Sequence, residues 1–289
     1  MGKFDGILIC TDCDGTLTDK DGHLSDANAE AIRYFQSEGG RFTLATGRFP
    51  EHLNKYADKL KINAPVISLN GVLIFDTEKN QVLKTATMKT KQALKVVDYL
   101  NDNWPGIWEY WINYTDETSG CYKPMEDIFK YETIKVSDEC KKQIDSMEGN
   151  KETRPQFAVM SDNLPEAMAK MVFVMPEDML PAVRKDLREK FGDEFNFAAS
   201  WANGLEMQDI ESGKGMAVEF LKDYFEDVTT SVCVGDYDND ISMLKIADIS
   251  YAVENATDEV KELSDRIAVK NDEDAIAWII SDIENKGLA

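Results

Sequence analysis

Histidine is nearly absent from this chain. Only His23 and His52 carry an imidazole among 289 residues. Neither belongs to a nucleophile motif, so Ser–His–Asp hydrolysis is disfavoured. No G-x-x-x-x-G-K-[ST] run occurs, which removes P-loop nucleotide hydrolysis. Basic charge is also short: 32 Lys and Arg stand against 54 Asp and Glu, a net charge of −22. Nucleic acid and anionic membrane surfaces both need a basic footprint, so neither is expected as a partner. No apolar run approaches the ~20 residues of a membrane helix. The N-terminal apolar run is too short for a secretion signal and is flanked by aspartates. The five cysteines (Cys10, Cys13, Cys121, Cys140, Cys233) are odd in number and lack metal-site spacing. Reduced thiols in a cytoplasmic protein are the natural reading.

What remains is a globular composition, 43% hydrophobic and 30% charged, long enough for two domains. Short apolar runs end abruptly in polar residues. Gly6–Cys10 ends in Thr11-Asp12, and Phe42–Ala45 in Thr46-Gly47-Arg48. Val66–Leu69 ends in Asn70-Gly71, and Val232–Val234 in Gly235-Asp236. Continuous apolar runs suit strands buried on both faces of a parallel sheet. Between them lie helical stripes. Ala31, Ile32 and Phe35 follow a Ser25 N-cap. Ala217, Phe220, Leu221 and Tyr224 follow Gly215, and Met243, Leu244 and Ala247 follow Asp240. This alternation predicts an α/β fold with a doubly wound, Rossmann-like parallel-sheet core.

The middle of the chain is more aromatic and alternating. Strands are expected at Ile107–Tyr114, Gln156–Met160, Met171–Met175 and Phe195–Trp201, and helices at Thr90–Asn101 and Pro176–Phe191. A tight turn is expected at Asn203-Gly204. The division is therefore core at 1–84 and 207–289, with an inserted α+β domain at 85–206. The aromatic stretch Trp104–Tyr114, with Trp108, Tyr110 and Trp111, reads first as core and sheet packing, with sugar stacking as the alternative.

Four clusters carry chemistry. Asp12 and Asp14 flank Cys13 at the first strand end, where open α/β sheets bind ligands. Two such carboxylates call for a cation, and magnesium suits them, its other ligands being water and phosphate oxygens. One carboxylate could instead serve as a nucleophile. The plain alternative is an acidic turn. Gly235-Asp236-Tyr237-Asp238-Asn239-Asp240 adds acids at another strand end, or simply caps a helix. An EF-hand is excluded, because the required Gly is missing. Thr46 and Arg48 offer a hydroxyl and a charge to a phosphate, or are only strand and turn residues. Lys214 lies between Gly213 and Gly215 and supplies the positive charge such a site needs, unless it is a solvated loop residue.

In this order these residues resemble the haloacid dehalogenase (HAD) superfamily. Asp12, Asp14 and Thr16 match its D-x-D-x-[TV] motif, Thr46 its second motif and Lys214 its third. Gly235, Asp236, Asn239 and Asp240 match G-D-x-x-N-D. Only 31 residues lie between Asp14 and Thr46, too few for a cap, whereas 165 lie between Arg48 and Lys214. The insert thus resembles a C2-type cap. A-T-G-R at Ala45–Arg48, S-L-N-G at Ser68–Gly71 and G-K-G at Gly213–Gly215 are similar to the Cof-like subfamily. The tail departs from it: relatives often place a Gly after the acidic pair, whereas Asn271-Asp272-Glu273-Asp274-Ala275 has none.

The resemblance implies a magnesium-dependent (Mg2+) phosphatase of small phosphorylated metabolites, sugar phosphates first. It implies Asp12 as nucleophile and Asp14 as acid and base. The metal would sit on Asp12, the Asp14 backbone carbonyl and Asp236, with Asp240 a ligand or a support. Thr46, Arg48, Lys214 and Asn239 would hold phosphate. A phosphomutase passing the phosphoryl group to a second hydroxyl is the alternative, and a non-catalytic metal-dependent binding protein the third reading.

Overall fold

A computed structural model describes residues 2–53, 56, 59–104, 109–113, 131–136 and 166–287. Contacts divide the chain into two units, Met1–Thr85 with Gly213–Ala289, and Ala86–Ser212.

The first unit opens with β1 (Ile7–Thr11), whose five residues are all buried. Both alternating sets of its side chains are covered, as a strand between helical layers requires. In α1 (Asp26–Ser37) the Ser25 hydroxyl accepts the Asn28 N–H at 3.0 Å and satisfies a free donor of the first turn. Ala29, Ile32 and Phe35 form its buried stripe. Gly39, at φ 94°, and Gly40 then turn the chain into β2 (Arg41–Leu44).

The third apolar run does not join the same sheet. β3 (Val66–Ser68) pairs antiparallel with β4 (Leu73–Asp76), and β4 with β5 (Gln81–Thr85). The chain reverses at Leu69–Gly71, so β3 spends its ladder on its own return strand. One parallel bridge, Ala45 to Ile67, and a 2.9 Å bond from the Thr46 N–H to the Ile67 carbonyl tie this ribbon to the end of β2.

The second unit holds β6 (Met88–Lys89), α2 (Thr90–Asn103), β7 (Glu109–Asn113), β8 (Tyr131–Val136) and β9 (Ala167–Met168). It continues with β10 (Lys170–Val174), α3 (Leu180–Phe191), β11 (Phe195–Trp201) and β12 (Gly204–Asp209). Five strands form an antiparallel sheet in the order β11-β12-β10-β7-β8. Met171, Phe173, Leu205, Met207 and Phe197 are buried on one face, and α3 packs on β11 and β12. The alternate set carries a buried Lys170–Glu206 ion pair at 2.8 Å. Trp104 donates to Asp186 at 2.7 Å, and Tyr99 to the same oxygen at 2.8 Å, so Trp104 is a packing residue that ties α2 to α3.

Two expectations shift. The hairpin turn is Ala202-Asn203, and Gly204 already pairs with Trp201. A side chain at 204 would strike the Trp201 ring, so the glycine serves packing. The helix expected from Pro176 starts at Leu180, because Pro176–Met179 closes its own turn first. Gln156–Met160 and Trp108 lie outside the described residues.

The chain returns to the first unit with α4 (Lys214–Tyr224), β13 (Thr230–Gly235), α5 (Ile241–Ile246) and β14 (Ile249–Ala252). It ends with α6 (Asp258–Leu263), β15 (Arg266–Ile267) and α7 (Ala275–Asn285). Five strands pair in parallel in the order β15-β14-β13-β1-β2. The helix pairs α1–α7 and α4–α5 pack against each other. Tyr224 leaves the expected stripe of α4 at 39% exposure, and Val218 takes the core position instead. The chain runs outward from β1 to β2, and outward again from β13 to β14 and β15. Strand order therefore reverses between β1 and β13, and a ligand crevice is expected outside their carboxyl ends. Among the described residues no helix is long and apolar enough to cross a membrane.

Candidate active site

Asp12 and Asp236 follow β1 and β13 at that reversal. The Asp12 N–H continues the parallel ladder to the Val234 carbonyl at 2.9 Å, which fixes its backbone. The chain then turns sharply. Gly15 adopts φ 82°, and a Cβ there would lie 2.7 Å from an Asp236 carboxylate oxygen. Thr16, fully buried, donates to Asp236 Oδ1 at 2.8 Å. The glycine lets the first motif lie directly against the fourth.

Lys214 opens α4 and is fully buried. Its Nζ donates to Asp12 Oδ1 and to Asp240 Oδ1, both at 2.6 Å. The second Asp240 oxygen accepts the N–H groups of Asp236 at 2.9 Å and Tyr237 at 3.1 Å. Both Asp240 oxygens are thus engaged by the protein, which casts it as the group that holds Lys214 and the Asp236 backbone in place. An ion pair at this depth survives only with such complete bonding, since desolvation costs each charge several kcal/mol.

Asp12, Asp236 and Asp240 each place a carboxylate oxygen within 4.8 Å of the others. Three carboxylates face one ammonium. Burial, reinforced by its acidic neighbours, pushes Asp12 well above the usual carboxylate range, even though Lys214 pulls the other way. Burial and then Asp240 push Asp236 up to about 7. Burial alone would lower the Lys214 ammonium, but Asp12 and Asp240 outweigh it and the net shift is upward. The excess negative charge and hard oxygen donors fit a divalent cation.

Asp14 points elsewhere. Its side chain is half exposed, and Arg48 clasps it with Nε to Oδ2 at 2.6 Å and Nη2 to Oδ1 at 2.5 Å. Thr46 is buried, and its Oγ1 accepts the Arg48 N–H at 3.2 Å. Asn239 Nδ2 donates to Asn70 Oδ1 at 3.1 Å. The structure thus joins Asp12, Lys214, Asp236 and Asp240 in one bonded cluster. It sets Asp14 with Arg48, and Asn239 with Asn70.

Three asparagines carry bonds that the motifs did not announce. Asn70 is one. Asn255 donates to the Gly15 carbonyl at 2.8 Å, and Asn271 to the Thr18 carbonyl at 2.8 Å, while the Asn271 N–H reaches Asn255 Oδ1 at 2.9 Å. They brace the loop after Asp12 from the far end of the chain. Only Asn70 had a sequence signal, its place in S-L-N-G. Cys13 is buried, and burial pushes its thiol up, away from nucleophilic use. His23 and His52 are exposed. His23, Asp19 and Asp21 form a second group of possible metal ligands, but Asp19 Oδ1 already accepts the N–H groups of Asp21 and His23 at 2.9 and 2.8 Å.

A family model described as haloacid dehalogenase-like hydrolase matches residues 9–280. A 5-amino-6-(5-phospho-D-ribitylamino)uracil phosphatase of Bacillus subtilis is 28% identical over 95% of this chain and 97% of its own length. A pyridoxal phosphate phosphatase of Escherichia coli is 24% identical over 94% of this chain and 97% of its own. Among solved structures, a Streptococcus mutans protein superposes with a TM-score of 0.76 at 22% identity, covering 95% of this chain and 97% of that one. A HAD-superfamily phosphatase from Bacteroides thetaiotaomicron does so at 0.75 and 18% identity, covering 99% and 97%. These structures bear on the fold.

Proposed function

Because the chain belongs to the haloacid dehalogenase-like hydrolases, we propose that it is a magnesium-dependent phosphatase of small phosphorylated metabolites, with Asp12 as nucleophile. The observation that carries this reading is the Lys214 bridge between Asp12 and Asp240 beside Asp236, at the reversal of strand order. A buried carboxylate with one oxygen held by an ammonium is oriented, and its other oxygen is directed for attack.

Asp12 attacks phosphorus and displaces the alkoxide, which takes a proton from Asp14. The resulting aspartyl-phosphate is hydrolysed when Asp14, now a carboxylate, takes a proton from the attacking water. Phosphate leaves and Asp12 is restored. Lys214, Thr46, Arg48 and Asn239 supply positive charge and hydrogen bonds to the phosphoryl oxygens. Phosphoryl transfer depends chiefly on such positioning and neutralisation. Asp12, Asp236 and the Asp14 backbone carbonyl would hold the magnesium ion, with Asp240 as their support. When bound, the ion neutralises charge on the phosphate.

The unit Ala86–Ser212 is the cap in this reading. The relatives' names, which include a 5-amino-6-(5-phospho-D-ribitylamino)uracil phosphatase and a pyridoxal phosphate phosphatase, support a substrate panel that goes beyond sugar phosphates. The test is phosphate release from a panel of all three kinds, with and without magnesium, comparing native protein with Asp12→Asn. Release by the native protein alone, stopped by chelator and restored by magnesium, is expected. Turnover by a folded Asp12→Asn protein would overturn the nucleophile assignment.

A further inference from the structure

The segment Ser68–Gly71 stands out in the sequence and has no part in the chemistry above. Its backbone is unusual. Leu69 (φ 52°), Asn70 (φ 56°) and Gly71 (φ 95°) are three consecutive left-handed residues, and two of them carry side chains. Such conformations persist only where the surroundings over-determine them, and they gather at functional sites.

The surroundings here are the motifs themselves. The Leu69 N–H donates to the Arg48 carbonyl at 3.1 Å, and the Asn70 N–H to the Thr46 carbonyl at 2.8 Å. Ser68 Oγ donates to the Arg48 carbonyl at 2.5 Å. Gly71 lies so close to the residue before Lys214 that a Cβ would come 2.2 Å from the Gly213 carbonyl oxygen. Asn70 is buried, with 3% of the residue exposed. Its Oδ1 accepts from Asn239, and its carboxamide lies where a Cβ on Gly47 would be 3.2 Å from Nδ2. One residue therefore touches the Thr46–Arg48 turn and Asn239, which come from distant parts of the chain.

We propose that Asn70 is a positioning residue of the phosphate cradle, orienting the Asn239 carboxamide through its side chain and the Thr46 turn through its backbone. This rests on the phosphatase reading. An amide anchored through one N–H cannot flip without losing that bond, so the remaining polar atoms of Asn239 meet the phosphoryl group already aimed. Asparagine suits the position twice over: it is among the side-chain-bearing residues that enter the left-handed region most readily, and it offers the acceptor Asn239 needs.

Glycine at 70 separates these two roles, because it keeps the backbone and removes the carboxamide. Asn70→Gly should keep its melting temperature within about 3 °C of native. Its kcat for p-nitrophenyl phosphate with magnesium should fall on the order of 10- to 100-fold, with KM changed less than about threefold. Asn239→Ala should fall similarly, and the double variant should be no worse than the worse single, the signature of two residues acting as one. Unchanged turnover in Asn70→Gly, or fully additive losses, would overturn the proposal. Side-chain amide hydrogen exchange of Asn239, read by NMR without turnover, should be slow in native protein and fast in Asn70→Gly. If native protein hydrolyses no phosphate ester, the phosphatase reading fails, and that exchange measurement decides the contact alone: equal rates would sink it.

Discussion

Arg48 grips Asp14 with a pair of hydrogen bonds of 2.6 and 2.5 Å, one to each carboxylate oxygen, and the Arg48 N–H is itself tied to Thr46 Oγ1. Both oxygens of the proposed acid are therefore occupied by a guanidinium. For Asp14 to serve a leaving oxygen, Arg48 must release it, and a phosphate is the natural ligand to draw the guanidinium away. Arg48→Lys keeps the charge but cannot make the paired geometry. We expect kcat/KM to drop on the order of 10-fold or more, measured by steady-state kinetics on the preferred substrate. Native kinetics in Arg48→Lys would show that the clasp is incidental.

Lys214 is fully buried between two carboxylates. Lys214→Met keeps much of the volume and removes the only cation bonded to Asp12 and Asp240 among the described residues. Breaking a buried pair from one side typically costs about 3–5 kcal/mol. Urea unfolding of the metal-free protein should show a loss of that order. Added magnesium should recover part of it, since the ion answers the same excess charge.

Asp236 gives a pH signature. Burial first, and Asp240 next, raise its carboxyl from the ordinary 3.8 to about 7. Between those values the folded, metal-free protein keeps a proton that the unfolded chain has lost. Stability must then fall as pH rises through that window, by up to about 1.4 kcal/mol per pH unit for one proton. Magnesium bound at Asp236 would displace that proton, so its affinity should climb as pH rises toward about 7. Chelator-treated protein should lose urea resistance from about pH 5 to about pH 7, and Asp236→Asn should flatten the slope. A native slope of the opposite sign would contradict the assignment.

Asp274 adopts φ 61° at the start of α7, in the left-handed region that favours glycine. Its side chain makes no capping bond, while its carbonyl accepts the Trp278 N–H at 3.0 Å. Asp274→Gly keeps that backbone bond and removes the left-handed penalty. We expect a net gain of about 0.5–1 kcal/mol, the relieved left-handed penalty less the extra freedom glycine gives the unfolded chain, seen as a melting temperature about 1–4 °C higher. A lower melting temperature would show that the aspartate holds the loop by other means.

Much of this was legible before folding. Apolar runs ending in Asp12, Thr46 and Asp236 announce buried strands with polar ends, because side-chain burial and backbone hydrogen bonding act over a few residues. The Ser25 cap and the α1 stripe are local in the same sense, as is the order of the four motifs. Other features depend on segments that meet only in three dimensions. The Val66–Ser68 run looks like its neighbours, yet the reversal at Leu69–Gly71 sends it into a separate ribbon. Gly204 looks like a turn residue and is a bed for Trp201. That Lys214 finds Asp240 as well as Asp12, that Arg48 takes Asp14, and that Asn70 holds Asn239 were decided by tertiary packing. Each pairing joins residues far apart in the chain, and only the stacking of strand ends at one edge of the sheet brings their side chains within bonding distance.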